Sequence, residues 1–272
     1  MLYKIYQKIF KIIIKPVKGK KLGRRFPFLW RTYDFFFKMV APKKYFYHEM
    51  NNMKFLVDPN EPLKHVRTWM QQYLMSNEYE PETTKLVEKL VKPGDVAIDI
   101  GASIGAFSML LSKCVGDNGK VYSFEPNREG FKYLCENKLA NNAKNVCPYN
   151  LAAWDKEDLV QIPMSSYSIN KQWANGVAIG KFLSDKGVTK VDFIKMDIDG
   201  ADPWAIQGLE EIFLNNPKLK MICEYYPEYI EASNGDPKLF HDLLEKYFTL
   251  EIIDGDYGDG YWNYLCHRKE LI

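Results

Sequence analysis

The stretch Asp99-Ile-Gly-Ala-Ser-Ile-Gly105 decides the fold of this 272-residue chain. It follows the short apolar run Val96–Ile100, which Pro93-Gly94 introduces, and it precedes a helix-like segment from about Ile104 to Cys114. The two glycines lack a Cβ atom, so the backbone can turn sharply there and a ligand can approach closely. The order predicts a buried strand, a glycine turn and a helix whose free N–H groups face a ligand.

The spacing of these glycines and the acid after the next strand narrow the kind of ligand. Dinucleotide-binding turns carry GxGxxG, whereas Gly101 and Gly105 follow Asp99 with the spacing GxxxG. This spacing favours a nucleoside held by its sugar and an amino-acid tail over a pyrophosphate. Glu125 ends the run Lys120–Glu125, where βαβ units place an acid that accepts from both ribose hydroxyls. The alternative is a tight turn without a ligand and a surface carboxylate.

Strand-like and helix-like runs alternate through residues 92–272, which is typical of an α/β sheet with helices on both faces. The runs expected in a mostly parallel twisted sheet are Val96–Ile100, Lys120–Glu125, Val146–Ala153, Val191–Asp197 and Lys220–Glu224. At the end of the chain, Thr249–Ile253 and Tyr261–His267 predict an antiparallel hairpin that closes this sheet.

Residues 51–91 form a separate region in the sequence, between a basic extension at 1–50 and the domain at 92–272. We expect a strand at Met53–Val57 and two helices that cover the site, the second with Pro81 at an early position.

The N-terminal segment differs in charge from the rest of the chain. Residues 1–45 contain thirteen lysines and arginines and one acid, Asp34, which gives +12 and leaves −10 on the other 227 residues. Lysine recurs at helical spacing from Lys4 to Lys15 between apolar residues, which predicts a basic amphipathic helix in the extension. Such a helix lies on an anionic membrane surface or packs on the domain; RNA binding is the weaker alternative.

The five cysteines lie singly along the chain, without a CxxC pair or a histidine cluster. This usage is typical of reduced thiols in a cytosolic protein. Lysines interrupt the first apolar stretch, so it does not read as a signal peptide, and nothing approaches the length of a transmembrane helix. We therefore expect a cytoplasmic protein, located peripherally at the membrane if the N-terminal helix binds lipid.

Three stretches, Lys92–Ser108, Val121–Pro126 and Asp192–Asp202, have an order and spacing that resemble the FkbM-type methyltransferases. The resemblance covers roughly residues 76–225. It implies a class I methyltransferase with a Rossmann-like fold that uses S-adenosylmethionine, and family members usually methylate hydroxyl oxygens of sugars, glycolipids or polyketides. The family's Asp-x-Glu-Gly-x-Glu appears here as Asp197-Ile-Asp-Gly-Ala-Asp202, with shorter acids at both later positions.

The resemblance also implies which residues bind the cofactor. The glycine turn lines its methionine end, Glu125 holds the ribose, and the segment from Ala152 to Asp155 lies near the adenine. The positions implied are Glu80, Asp99, Gly101, Ala102, Ser103, Gly105, Glu125, Pro126, Ala152, Ala153, Asp155 and Asp197.

Asp197 and Asp199 are the candidate catalytic residues. Asp197 ends a strand at the sheet edge where ligands bind in open α/β folds. Transfer of a methyl group to an unactivated hydroxyl needs a base, and either acid can serve. Either can also hold a divalent cation that acidifies the hydroxyl, although we do not predict a metal. A calcium loop is excluded because Gly200 is fourth in the run rather than sixth. We expect Asp202 to cap the helix that Pro203 opens.

Three functions follow as hypotheses. The leading one is an S-adenosylmethionine-dependent O-methyltransferase that acts on a hydroxyl of a glycan, glycolipid or related secondary metabolite. The second is an RNA methyltransferase that uses the basic N-terminus, although Asp197-Ile-Asp-Gly200 is not the Asn/Asp-Pro-Pro-aromatic motif that holds a flipped base. The third is a non-catalytic cofactor-binding module.

Residues 51–80 and 156–185 are expected to form the acceptor pocket. In the second segment, Trp173 and Tyr167 either stack on a sugar or anchor a loop. Glu224 either lines the acceptor side of the crevice or pairs with a nearby lysine. The oligomeric state is left open by the sequence.

Overall fold

The structure is a computed structural model that describes residues 43–59, 79–163, 171–256 and 260–269, together with Phe35 and Met39. The chain separates into two compact units, Met1–Tyr79 and Glu80–Ile272. The basic helix predicted around residues 4–15 and the helix predicted around residues 63–74 lie outside the described residues. The division of the chain into functional regions 1–50, 51–91 and 92–272 stays a prediction.

The described part of the first unit is a β-hairpin. Strands β1 (Phe46–Met50) and β2 (Met53–Val57) pair antiparallel, with Met50 opposite Met53. The two connecting residues, Asn51 and Asn52, have φ of 51° and 55°. A two-residue connection with both residues left-handed matches the twist of a hairpin, and asparagine tolerates that conformation. The strand predicted at Met53–Val57 is confirmed.

The second unit alternates strands and helices as predicted. Its strands are β3 (Val96–Ile100), β4 (Lys120–Phe124), β5 (Val146–Tyr149), β6 (Ala152–Ala153), β7 (Asp158–Pro163), β8 (Lys171–Val177), β9 (Phe193–Met196), β10 (Lys220–Tyr225), β11 (Phe248–Asp256) and β12 (Tyr261–Arg268). Its helices are α1 (Pro81–Leu90), α2 (Ala106–Val115), α3 (Arg128–Ala140), α4 (Ile179–Ser184), α5 (Asp202–Gly208), α6 (Glu210–Asn215), α7 (Pro227–Ala232) and α8 (Pro237–Tyr247).

Seven of these strands form one sheet in the order β11-β12-β10-β9-β3-β4-β5. The five strands from β10 to β5 are parallel, and β12 and β11 add an antiparallel hairpin at the other edge. Parallel strands need crossover connections. Helix α2 connects β3 to β4, and helix α3 connects β4 to β5. The predicted class I arrangement, with its C-terminal hairpin, is confirmed.

Alternation along the strands gives the two faces of the sheet different chemistry. One face is apolar: Ile98, Ile100 and Met196 belong to a buried core that also includes side chains from α4, α5, α6 and α8. The other face carries Asp99 and Ser123, which hydrogen-bond to Ser108 of α2. The polar face is therefore the one on which a site can be built.

The predicted third strand, Val146–Ala153, is wrong as a single element. It divides into β5 in the main sheet and β6 in a small sheet of order β6-β8-β7. Between them, the Asn150 amide donates to the carbonyl oxygens of Glu125 and Pro126 at 2.8 and 3.0 Å. These two hydrogen bonds fix Asn150 beside the end of β4. Beyond Asn150 the chain leaves the main sheet and enters the small one. Among the described residues, no helix is both long and apolar enough to cross a membrane.

Candidate active site

The glycine turn brings the end of β3 against the end of β9. The Gly101 and Ala102 N–H groups both donate to the Phe124 carbonyl, at 2.9 and 3.0 Å. Gly101 has φ of +81°, and a Cβ atom there would lie 1.8 Å from the Asp197 carbonyl oxygen. Gly105, with φ of +89°, is the residue from which α2 starts. At Gly101, only glycine leaves room for the backbones at the ends of β3 and β9 to come this close, as predicted from the sequence.

Glu125 lies over the turn and is 7% exposed. One carboxylate oxygen accepts from the Ser103 N–H at 2.6 Å, and the other accepts from the Asn127 N–H at 2.7 Å. Burial nevertheless raises the pKa of Glu125 from 4.5 to about 7, because these two bonds offset only part of the desolvation. A carboxylate has about four acceptor positions, so roughly two stay available to a ligand.

Asp99 is held beneath the turn and is 2% exposed. Its Oδ2 accepts from the Ser108 hydroxyl at 2.5 Å, and that hydroxyl also lies 2.8 Å from the Ser123 hydroxyl. Burial raises the pKa of Asp99 to about 6, against the opposing effects of Ser108 and Lys195. Asp99 is therefore rigidly placed but readily protonated.

Next to the turn lies a group of charges around Lys195, which is fully buried in β9. Its ammonium is 3.3 Å from Oδ2 of Asp197, whose side chain is 28% exposed. Burial by itself would lower the pKa of Lys195, but the attraction of four carboxyls raises it above its ordinary value. These four are Asp197, Glu80, Glu224 and Asp99. Lys195 therefore stays charged and holds Asp197 in place.

Glu224 joins this group from β10. Burial and the charge of Asp197 raise the pKa of Glu224 well above its ordinary value, and the attraction of Lys195 opposes this. Of the two alternatives considered for Glu224, the interaction with a lysine, Lys195, is present in the structure; that Glu224 lines the acceptor side of the crevice stays a prediction. On the neighbouring strand β12, the residue opposite Glu224 is Asn263.

The two acids after Asp197 lie in different surroundings. Asp199 is partly exposed and acts electrostatically on Glu125 and Glu224. The expectation that Asp202 caps the helix is wrong: Asp202 is the first residue of α5, the cap is Ala201, and no side chain caps it. The Asp202 carboxylate instead turns back to accept from the Gly200 N–H at 3.1 Å.

The remaining predicted positions lie just before α1 and in or next to the small sheet. Glu80 precedes α1 in a left-handed conformation and acts electrostatically on Lys195. Ala152 and Ala153 are buried in β6 of the small sheet. Asp155 follows them; its Oδ1 is buried and has no hydrogen-bond partner among the described residues.

The comparisons with known proteins identify the family. The family model for the methyltransferase FkbM domain matches residues 99–251, more than half of the chain. The chain belongs to the FkbM methyltransferase family. Its fold is the class I methyltransferase fold, and the family is the one that the resemblance named.

Individual relatives of this FkbM methyltransferase are distant. A tRNA (adenine(57)-N(1)/adenine(58)-N(1))-methyltransferase of Methanocaldococcus jannaschii is 24% identical over 60% of the chain, and the chain spans only 56% of that protein. A crystal structure of a candidate rRNA methylase from Clostridium thermocellum has a TM-score of 0.50 and 12% identity, over 69% of this chain and 96% of that one. An FkbM methyltransferase from Methylobacillus flagellatus has a TM-score of 0.46 and 16% identity, over 71% and 52%.

Two polar residues of this site were not among the predicted site residues. Lys195 stands in the middle of the otherwise apolar run Phe193–Met196, and a lysine inside a buried strand is a sign of a charged site. Asn263 is paired with Glu224 across the sheet, which only the strand register reveals. In the described part of the chain, no group of three or more histidine, cysteine or acidic side chains is arranged to hold a metal ion.

The stability of the protein is expected to fall as the pH rises from about 5 to about 7. Glu125 ionises near 4.5 when unfolded and about 7 when folded, so between these values the folded state binds a proton that the unfolded state lacks. Each such group changes the free energy of unfolding by about 1.4 kcal/mol per pH unit in this window. Thermal unfolding of wild type and Glu125→Gln at several pH values measures this. The stability of Glu125→Gln should decrease less than that of wild type over this pH range. An equal decrease in both proteins would show that groups other than Glu125 cause the effect.

Proposed function

We propose that this methyltransferase acts on a hydroxyl group of a glycan, glycolipid or related secondary metabolite. The observation that supports this most directly is Asp197, a partly exposed carboxylate fixed by a buried lysine at 3.3 Å. A carboxylate held at the sheet edge, next to the glycine turn, has the placement that a general base needs.

The arrangement of the predicted cofactor residues fits S-adenosylmethionine. The free acceptor positions of Glu125 suit the two ribose hydroxyls, and the buried Oδ1 of Asp155 suits the amino group of the adenine. The glycine turn presents backbone without side chains to the methionine end. We therefore assign Glu125 and Pro126 to the ribose, Ala152, Ala153 and Asp155 to the adenine, and the residues from Asp99 to Gly105, with Glu80, to the methionine end.

The chain's own contribution to the reaction is placement and proton transfer. S-adenosylmethionine supplies a methyl group on a positively charged sulfur. Asp197 takes the proton of the acceptor hydroxyl as that oxygen becomes bonded to carbon. Lys195 holds the Asp197 carboxylate in position through their ion pair, and Asp199 is the alternative base on the same turn.

The charge of the crevice favours an uncharged acceptor. Asp197 and Asp199 act as negative charges on Glu224, and Lys195 is the cation that the described residues place among them. Such a surface repels the phosphates of a nucleic acid and accepts hydrogen bonds from sugar hydroxyls. This favours glycans over RNA.

An RNA acceptor is the second candidate, because of the +12 segment at residues 1–45 and the tRNA methyltransferase among the relatives. The same segment supports our proposal of a peripheral location on anionic lipid. Binding of the full chain to RNA and to anionic vesicles, each at two salt concentrations, separates these proposals. RNA binding that persists at physiological salt would favour the second candidate.

The substitution Asp197→Asn is expected to abolish methyl transfer while the cofactor still binds. Loss of a general base lowers the rate about 100-fold or more, whereas the amide retains the shape of the carboxylate. The measurement is transfer of labelled methyl to a panel of hydroxylated glycans, glycolipids and RNA, with S-adenosylhomocysteine affinity in parallel. Asp185→Asn, on an exposed residue paired with Lys181, is the control. Full activity in Asp197→Asn would move the base elsewhere, and transfer to RNA alone would reject the glycan acceptor.

A further inference from the structure

Glu224 lies beside Asp197, the proposed general base, at the ends of two neighbouring strands. The register aligns Cys223 with Met196, so Glu224 comes next to Asp197 where both strands reach the carboxyl edge of the sheet. The two carboxyl groups therefore lie close together at neighbouring strand ends. When both are ionised they repel each other, and this repulsion together with burial favours the protonated form of Glu224.

The surroundings of Glu224 contain more negative than positive groups. Lys195 of β9 acts on it as a cation, and Asp197 and Asp199 act as anions. Asp99 of β3 and Glu80 before α1 add further acidic groups around the same lysine. From β12, the neighbour paired with Glu224 is the uncharged Asn263.

Asn263 adds an independent sign that this corner of the site is made for a ligand. It is 5% exposed, and its Oδ1 has no hydrogen-bond partner within the described ranges. A buried acceptor without a donor is rare in folded proteins because its desolvation is not compensated. The corner formed by Glu224 and Asn263 therefore favours positive charge and hydrogen-bond donors.

We propose that Glu224 recognises the positive charge of S-adenosylmethionine, giving up its proton to the solvent when this cofactor binds and keeping it when S-adenosylhomocysteine binds. The two molecules share the adenosine and the amino-acid tail; they differ by one methyl group and its positive charge on sulfur. Attraction to a newly ionised Glu224 therefore acts on the methyl donor and not on the product. Glu224 becomes a specificity residue that favours exchange of product for fresh cofactor.

This inference concerns the cofactor and holds whichever acceptor the enzyme methylates. Comparison of the two ligands removes the contributions of the other acids. Glu125 is assigned to the ribose and Asp99 to the methionine end, and both parts are common to the two molecules. A difference in proton release between them therefore reports on the charge of the sulfur.

The test is isothermal titration of the full chain with each ligand near pH 7, in two buffers of different ionisation heat. Wild type should release more protons per bound ligand with S-adenosylmethionine than with S-adenosylhomocysteine. In Glu224→Gln this difference should disappear. The affinity for S-adenosylmethionine should fall about tenfold, as expected for one charge interaction in a partly buried site, while that for S-adenosylhomocysteine changes less than about twofold.

The control is Glu228→Gln, the same change on an exposed residue at the start of α7, which should leave both affinities unchanged. Retained binding of S-adenosylhomocysteine shows that the Glu224→Gln site is folded. Equal proton release with both ligands in wild type overturns the proposal without any variant. Equal losses of affinity for both ligands overturn it as well, because Glu224 would then only support the site.

Discussion

Replacing Glu125 with alanine is expected to lower the affinity for S-adenosylhomocysteine at least about 100-fold. The carboxylate is the proposed partner of two ribose hydroxyls, and each hydrogen bond to a charged group contributes about 1.5–3 kcal/mol. Alanine also leaves the Ser103 and Asn127 N–H groups without their present acceptor, which loosens the turn. Isothermal titration with S-adenosylhomocysteine measures the loss directly.

Glu129→Ala serves as the matched control for this substitution. Glu129 lies four residues further along, in the first turn of α3, with a side chain that is 43% exposed and 3.9 Å from Lys132. We expect its affinity for S-adenosylhomocysteine to equal that of wild type. Unchanged affinity in Glu125→Ala would show that the ribose is held elsewhere and would remove the main support for the assigned cofactor residues.

Replacing Gly101 with alanine is expected to cause the largest loss of stability of any single change discussed. The new Cβ atom would lie 1.8 Å from the carbonyl oxygen of Asp197, which is backbone and cannot rotate away. The left-handed φ alone costs about 1–2 kcal/mol, and the overlap forces β3 and β9 apart, so we expect a total above about 4 kcal/mol. The melting temperature should fall by about 10 °C or more.

Gly94→Ala separates the two contributions. Gly94 has a similar φ of +88°, but nothing lies within 4 Å of the position that its Cβ would take. Its melting temperature should therefore fall only by the conformational cost, about 3–5 °C. If both variants melted at the same temperature, the contact between Gly101 and Asp197 would contribute nothing, and the two strand ends would not be tightly apposed.

The glycine turn and the placement of Glu125 were predictable because they depend on local chain geometry. Gly101 and Gly105 mark a backbone that must turn, and Glu125 follows a strand by a spacing that the βαβ unit imposes. These features are written in consecutive residues, so strand β3 and the position of the turn were predicted correctly. The C-terminal hairpin was predictable for the same reason, since two strand-like runs flank a glycine-rich connection.

The electrostatic half of the site depends on residues that are distant in sequence. Lys195 interacts with carboxyl groups of β3, of β10 and of the residue before α1. No local sequence pattern shows which carboxyl groups surround this lysine. Strand propensity also cannot show that a chain changes sheets. The run Val146–Ala153 was predicted as one strand. In the structure, the Asn150 side chain donates hydrogen bonds to the backbone just after β4, and the run is divided there into β5 and β6.

The small sheet has a core of its own. Ala152, Val160, Ile162 and Ala174 form a buried cluster with Trp154, and Trp154 stacks on Trp204 of α5 with the ring centroids 4.8 Å apart. The side chains of Leu159 and Trp173 remain on the accessible side. The proposed stacking of Trp173 on a sugar stays a prediction, and Tyr167 lies outside the described residues.

A separate core makes the small sheet a module in the evolutionary sense. Substitutions on its accessible side disturb neither the packing of the seven-stranded sheet nor the glycine turn, because those depend on other side chains. Selection can therefore vary this surface while it preserves the glycine turn. The acceptor pocket is predicted to include residues 156–185, to which Leu159 and Trp173 belong, so related enzymes are expected to diverge in their acceptors while they keep the same methyl donor.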